Sequence, residues 1–183
     1  MGKIINIISS YHNSAKRNYL ERMTKIKPKN IILAKKYGKD FWDGSRNTGY
    51  GGYRFIPGKW KPIAKKLIKK YKLNNNSKVL DIGCGKAFLL HEIKLLLPQI
   101  SIYGFDVSKY AISKSTKLIK PFLKIAKAEE KYPYKKNFFD LSISISTLHN
   151  LEIFNLKKAF KEIERVSKNG YLVVESYRNE KDL

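Results

Sequence analysis

In "LDIGCGKAFLL", residues 80–90, an apolar run ends on the acid Asp81, and Gly83 and Gly85 follow with Lys86 and Ala87 behind them. Bare backbone at two glycines permits a tight turn and lets a ligand lie against peptide groups. Ala87 stands where a following helix must approach the strand closely. A second acid, Asp106, closes "IYGFD" 21 positions beyond Gly85. A carboxylate there can accept both hydroxyls of a ribose, through charge-assisted bonds of roughly 1.5–3 kcal/mol each. The plainer alternatives are a simple strand-to-helix turn and, for Asp106, a helix cap. Ser108 is the better placed cap, which favours the ribose role.

Spacing narrows the ligand. A dinucleotide turn reads G-x-G-x-x-G/A, and Gly83-x-Gly85-x-Ala87 is one residue shorter. A triphosphate loop needs Ser or Thr after its lysine, and Lys86 is followed by Ala87, which excludes it. Beyond the turn, His149 and Asn150 in "STLHNL" fall at the end of a predicted strand, and His149 is the best general-base candidate. A hydrogen-bonded structural histidine is the competing reading. Cys84 reads as small-residue packing within the turn. Glu175, Tyr177 and Arg178 read as a solvated chain end. His12, His91 and His149 are too scattered for a metal site.

"GYGGYRFIPGKW" combines Gly49, Gly51 and Gly52 with Tyr50, Tyr53 and Phe55. Aromatic faces suit a cation or a flat base, and Arg54 suits a carboxylate or phosphate. The functional reading is a lid carrying Tyr50, Tyr53 and Arg54. The competing reading is a packed surface loop.

The elements that must hold these residues begin at Lys59. Trp60, Ile63, Ala64, Leu67, Ile68 and Tyr71 form one helical stripe, with Pro62 in its first turn. From Ser77 onward strands and helices alternate: strand "KVLDI", helix 87–97 closed by Pro98, strand "ISIYGFD", and a helix over 109–119 capped by Ser108. Strand "FLKIA", strand "FDLSISIS", a helix over 155–169 with Gly170 as its C-terminal cap, and strand "YLVVES" complete the series. That alternation predicts an α/β, doubly wound, mostly parallel sheet covered on both faces. Residues 1–57 read as an N-terminal helical and loop extension, and 58–183 as the ligand-binding domain, with its core at 77–177.

The 183 residues suffice for one domain, which buries roughly 70% of the unfolded chain's surface. The hydrophobic share of 43% argues for a folded globule. No apolar run is long enough to span a membrane, and the first residues lack a signal peptide's apolar core. A lone cysteine cannot form an internal disulfide, which suits a cytoplasmic protein. The net charge is +23, but only six of the 38 basic residues are arginine. Nucleic-acid sites also use arginine forks, and these lysines are spread along the whole chain, so solvated lysine faces are the favoured reading over acidic small substrates, RNA or an anionic surface.

"VLDIGCGKAFLL", "IYGFDVS" and "FDLSISISTLHNL", in that order and at those separations, resemble the class I S-adenosylmethionine-dependent methyltransferase family across about Val79 to Glu175. The resemblance implies S-adenosylmethionine as cofactor. It implies that Asp81, Gly83, Cys84 and Gly85 lie near its methionine and ribose parts, with Asp106 and Val107 at the ribose. It places the adenine at Lys127 and Ala128, and Ser146 to His149 along cofactor and substrate. Three departures stand out. Ala87 replaces a third glycine. Lys127 stands where the family often has an acid that accepts from the adenine amino group, so that contact is lost or passes to backbone or to Glu129, and weaker cofactor binding, not its abolition, is expected. Family sheets have seven strands, and this chain reaches only a fifth, leaving the apolar strand 171–176 as an edge for a second copy, for another partner or for the N-terminal residues. The expected function is methyl transfer to a small-molecule acceptor. The alternatives are RNA methylation and a short, non-catalytic domain that depends on a partner.

Overall fold

The computed structural model describes residues 2–8 and 28–174. Five parallel strands form one sheet in the order β3-β2-β1-β4-β5. They are β1 Lys78–Ile82, β2 Ser101–Asp106, β3 Leu123–Ile125, β4 Leu141–Ile145 and β5 Gly170–Val173. The helices are α1 Pro28–Ala34, α2 Lys39–Trp42, α3 Lys61–Tyr71, α4 Phe88–Leu96, α5 Lys109–Ser113 and α6 Ile153–Val166. The architecture is the α/β parallel sheet that the alternating pattern predicts.

Strand β1 is buried from Val79 to Ile82, the acid Asp81 included, because helices cover both its faces. Val79 joins a core with Ile63 and Leu67 of α3 and Leu90 and Ile93 of α4. Leu80 and Ile82, on the opposite face, pack with Ala159, Ile163 and Val166 of α6. Pairing aligns Asp81 with Gly104 on one side and Ile143 on the other. The carboxyl ends of β1, β2 and β4 are therefore level, and the chain leaves them in different directions. In an open parallel sheet, that divergence creates a ligand crevice.

The extension is not a separate body. Ile7 and Ile8 are buried in the core that holds Val79, and backbone groups of both residues hydrogen-bond the Tyr171 hydroxyl. Tyr53 and Phe55 pack against the same core. One face of β5 is thus covered by the N-terminal residues. Val174 is exposed, and 175–176 of the expected edge strand lie outside the described residues, as do His12, Glu175, Tyr177 and Arg178.

Two helix ends differ from the sequence reading. The helix after Ser108 stops at Ser113. There Ser113 and Ser115 donate their hydroxyls to the Tyr110 and Ile112 carbonyls, a local bonding that competes with helix continuation. Gly170 is no cap: the last helix ends at Val166, Ser167 is already extended and bridges to Phe139, and Gly170 pairs with Ser142 in the sheet. The sheet ladder claims those backbone groups before a helical cap can form.

Candidate active site

At the end of β1 the N–H groups of Gly83 and Cys84 both donate to the Phe105 carbonyl, at 2.9 and 3.1 Å. Gly83, Gly85 and Ala87 all have left-handed backbone, at φ 70°, 57° and 56°. A glycine at the third position avoids a penalty of about 1–2 kcal/mol that alanine incurs, which gives a physical reason for a glycine there. The turn is clasped to Asp106, whose Oδ2 accepts from the Gly85 N–H at 2.8 Å and Oδ1 from the Ser108 N–H at 2.7 Å. Each oxygen keeps a further lone pair for a ligand hydroxyl.

A cavity of about 250 Å³ opens beside this clasp. Its floor includes Gly83, Phe105, Asp106 and Val107; one side is Ala126, Lys127, Ala128 and Glu129, and another Ser146, Thr147, Asn150 and Leu151. Tyr37, Phe41, Trp42 and Tyr50 form the remaining wall. Of the residues expected from sequence, the cavity thus gathers Gly83, Asp106, Val107, Lys127, Ala128, Ser146, Asn150 and Tyr50. Asp81, Cys84 and Gly85 are not among its walls. Tyr53 stacks on Phe88 with ring centroids 5.0 Å apart, and Arg54 is exposed. His149 is also exposed and outside the lining; its Nε2 meets the Asn150 amide at 3.3 Å. Among the described residues no cluster of three or more His, Cys, Asp or Glu is placed to hold a metal, and no helix is long and apolar enough to cross a membrane.

The rest of the aromatic wall, beyond Tyr50, is what the sequence reading missed. It comes from "YGKDFWDG", next to the stretch read as a lid. Tyr37 and Phe41 at helical spacing, followed by Trp42 and Asp43, were the available signal. Tyr50 stacks on Trp42 with centroids 5.2 Å apart and planes 6° from parallel. Backbone N–H groups of Gly52 and Tyr53 donate to the Trp42 carbonyl, and that of Tyr50 to Phe41, so the two arms hold one another.

Within the turn, Lys86 is a buried cation. It is 4% exposed, and its Nζ donates to both Asp43 oxygens and to the Tyr53 carbonyl, each at 2.7 Å. Asp43 also accepts from the Tyr110 hydroxyl and the Tyr53 N–H. Burial pushes the Asp43 carboxyl up, but the bonds from Lys86 and Tyr110 outweigh it and hold its pKa below the usual range.

Beside this ion pair, two further acids lie at the turn. Burial, aided by the neighbouring Asp106 charge, raises the Asp81 pKa to about 7. Asp106 is raised by burial, against the pull of the two N–H groups it accepts from. Burial also pushes the Cys84 thiol well up, so it stays neutral and is no nucleophile.

Flat apolar walls, one clasped carboxylate and bare peptide groups suit a nucleoside. The chain is similar to several known proteins. Over 117 residues it is 35% identical to the tRNA (carboxymethyluridine(34)-5-O)-methyltransferase of Arabidopsis thaliana, covering 63% of this chain and 27% of that protein. Over 89 residues it is 30% identical to the mitochondrial arginine-hydroxylase NDUFAF5 of Mus musculus, covering 49% of this chain and 25% of that one. The chain thus spans about a quarter of the length of these relatives. Among solved structures, the PH0226 protein of Pyrococcus horikoshii OT3 superposes with a TM-score of 0.54 at 21% identity, over 73% of this chain and 62% of that one; this likeness concerns the fold. Residues 73–183 match the family described as "Methyltransferase domain", and with the glycine turn, Asp106 and the parallel sheet in place, the chain belongs to that family, whose class I members use S-adenosylmethionine.

Proposed function

We propose that this protein transfers a methyl group from S-adenosylmethionine to a small-molecule acceptor. The observation that carries the reading is the enclosure of the cavity: an aromatic wall from residues 37–50 stands against the strand ends that bear Gly83 and Asp106. When bound, the cofactor supplies a methyl group made electrophilic by a sulfonium. The chain's residues contribute position. Asp106 offers its remaining lone pairs to ribose hydroxyls, and its orientation is fixed beforehand by Gly85 and Ser108. Val107, Ala128 and the aromatic wall offer apolar faces to the base, and Glu129 rather than Lys127 offers an acceptor to an amino group. Trp42 and Tyr50 present ring faces suited to a sulfonium. Asn150, Ser146 and Thr147 line the side left for the acceptor. Orientation of this kind supplies up to roughly 7–11 kcal/mol without a general base.

RNA methylation is the second reading, supported by the net charge of +23 and by the tRNA-modifying relative. One experiment separates the readings. The protein is incubated with methyl-labelled cofactor and either fractionated metabolites or total RNA, at low and high salt. Label in a small product supports the proposal. Label in one RNA position that persists at moderate salt replaces it with the second reading, and RNA affinity that collapses with salt is charge alone. No calorimetric heat with millimolar S-adenosylhomocysteine removes both and leaves a non-catalytic domain. Pairing of two copies along β5 is a separate proposal, checked by sedimentation before and after Val173→Lys.

A further inference from the structure

We propose that Asp43 is a positioning residue for cofactor binding: through Lys86, Tyr53 and Tyr110 it locks the aromatic wall onto the glycine turn. This inference rests on the cofactor reading above. Two chains of contacts converge on it. In the first, Asp43 meets Lys86 from the turn itself, Tyr110 from α5 and the Tyr53 N–H from the second arm of the wall, so one carboxylate ties three elements. In the second, the preceding residue, Trp42, donates its indole N–H to Ser108 Oγ at 2.9 Å and to the Tyr37 carbonyl at 3.1 Å. The Ser108 hydroxyl donates in turn to that Tyr37 carbonyl, and the Ser108 N–H holds Asp106. The wall and the ribose-directed carboxylate are therefore one hydrogen-bonded unit, pinned at Asp43.

The arrangement stores its ordering cost in the fold. Tyr37, whose carbonyl serves both Trp42 and Ser108, has left-handed backbone at φ 48°, a conformation a tyrosine adopts only when its surroundings hold it. With the wall fixed in advance, the cofactor does not have to order it on binding. Released from Asp43, the Trp42–Tyr50 stack keeps only its packing on Gly85 and loses its polar tie to the turn, and ordering it becomes part of the binding cost.

The test uses the full chain with Trp60→Phe, which leaves Trp42 as the only tryptophan. S-adenosylhomocysteine is titrated by calorimetry and by Trp42 fluorescence. Asp43→Asn leaves Lys86 buried without its ion, so the paired variant Asp43→Asn with Lys86→Met is made as well, which removes the orphan charge. For variants that still unfold cooperatively, dissociation constants about tenfold higher than the parent's are expected, with a Trp42 that acrylamide quenches more readily. Asp43→Glu is expected to restore most of the affinity. Parent-like affinity in the folded double variant overturns the proposal while leaving the cofactor reading intact. A parent that binds no S-adenosylhomocysteine overturns both.

Discussion

Trp42 lies over Gly85 so closely that a β-carbon on Gly85 would stand 2.5 Å from the indole ring. Opposite it, a β-carbon on Gly83 would stand 2.2 Å from the Thr147 side chain, whose hydroxyl donates to the Gly83 carbonyl. The two glycines thus serve the protein's own packing as well as any ligand. Gly85→Ala should displace Trp42 and strain a left-handed residue, costing about 2 kcal/mol or more. Urea denaturation reads the loss of stability, and red-shifted Trp42 emission in the Trp60→Phe background reads the displacement. Parent-like values for both would refute the close packing.

Ala87 is the reverse case. It is 1% exposed and sits at the start of α4 in left-handed backbone. Ala87→Gly relieves that strain at the expense of a more flexible unfolded chain, so a net gain of about 0.5–1 kcal/mol is expected. A stability equal to or below the parent's in denaturant would show that the alanine methyl contributes more by packing than it costs in backbone strain.

Asp81 makes stability fall with rising pH. The folded protein keeps its proton up to about pH 7, whereas an unfolded aspartate releases it near 4. Between those values the native state binds more protons than the unfolded one, so unfolding free energy decreases as pH rises. The cause is burial first and the Asp106 charge second. Asp81→Asn cannot ionise. Its stability relative to the parent should rise between pH 3 and pH 8 by about 4 kcal/mol, the full shift, of which about 2.5 kcal/mol falls above pH 5. Parallel pH profiles for the two proteins would exclude a buried, proton-holding Asp81.

Arg165 fixes the loop that leads into the cavity side at Ala128. Its guanidinium donates to the Tyr132 and Tyr134 carbonyls and to Glu162, which itself accepts from the Tyr132 N–H. The Tyr132 hydroxyl donates to the Ala128 carbonyl. Arg165→Met should lower stability by about 1–2 kcal/mol, moderated by partial solvent access. Hydrogen exchange should accelerate within residues 128–138 ahead of the sheet; uniform acceleration, or none, would argue against a local clamp.

Much of this was written in the chain order. The apolar run at 78–82, the glycine turn and the acid at 106 are local patterns with local causes: period, turn chemistry and strand-end charge. They determine the parallel sheet, its ligand edge and the carboxylate clasped there. The length of α5 and the end of α6 were less legible, because serine back-bonds and a sheet bridge compete with helical caps and only the fold decides between them. Tyr50 apart, the aromatic wall was decided by tertiary structure alone. Trp42 meets Gly85, and Asp43 meets Lys86, across 43 positions of sequence in each case. A contact at that separation leaves no periodic trace, because burying a lysine becomes tolerable only once the fold has delivered its carboxylate.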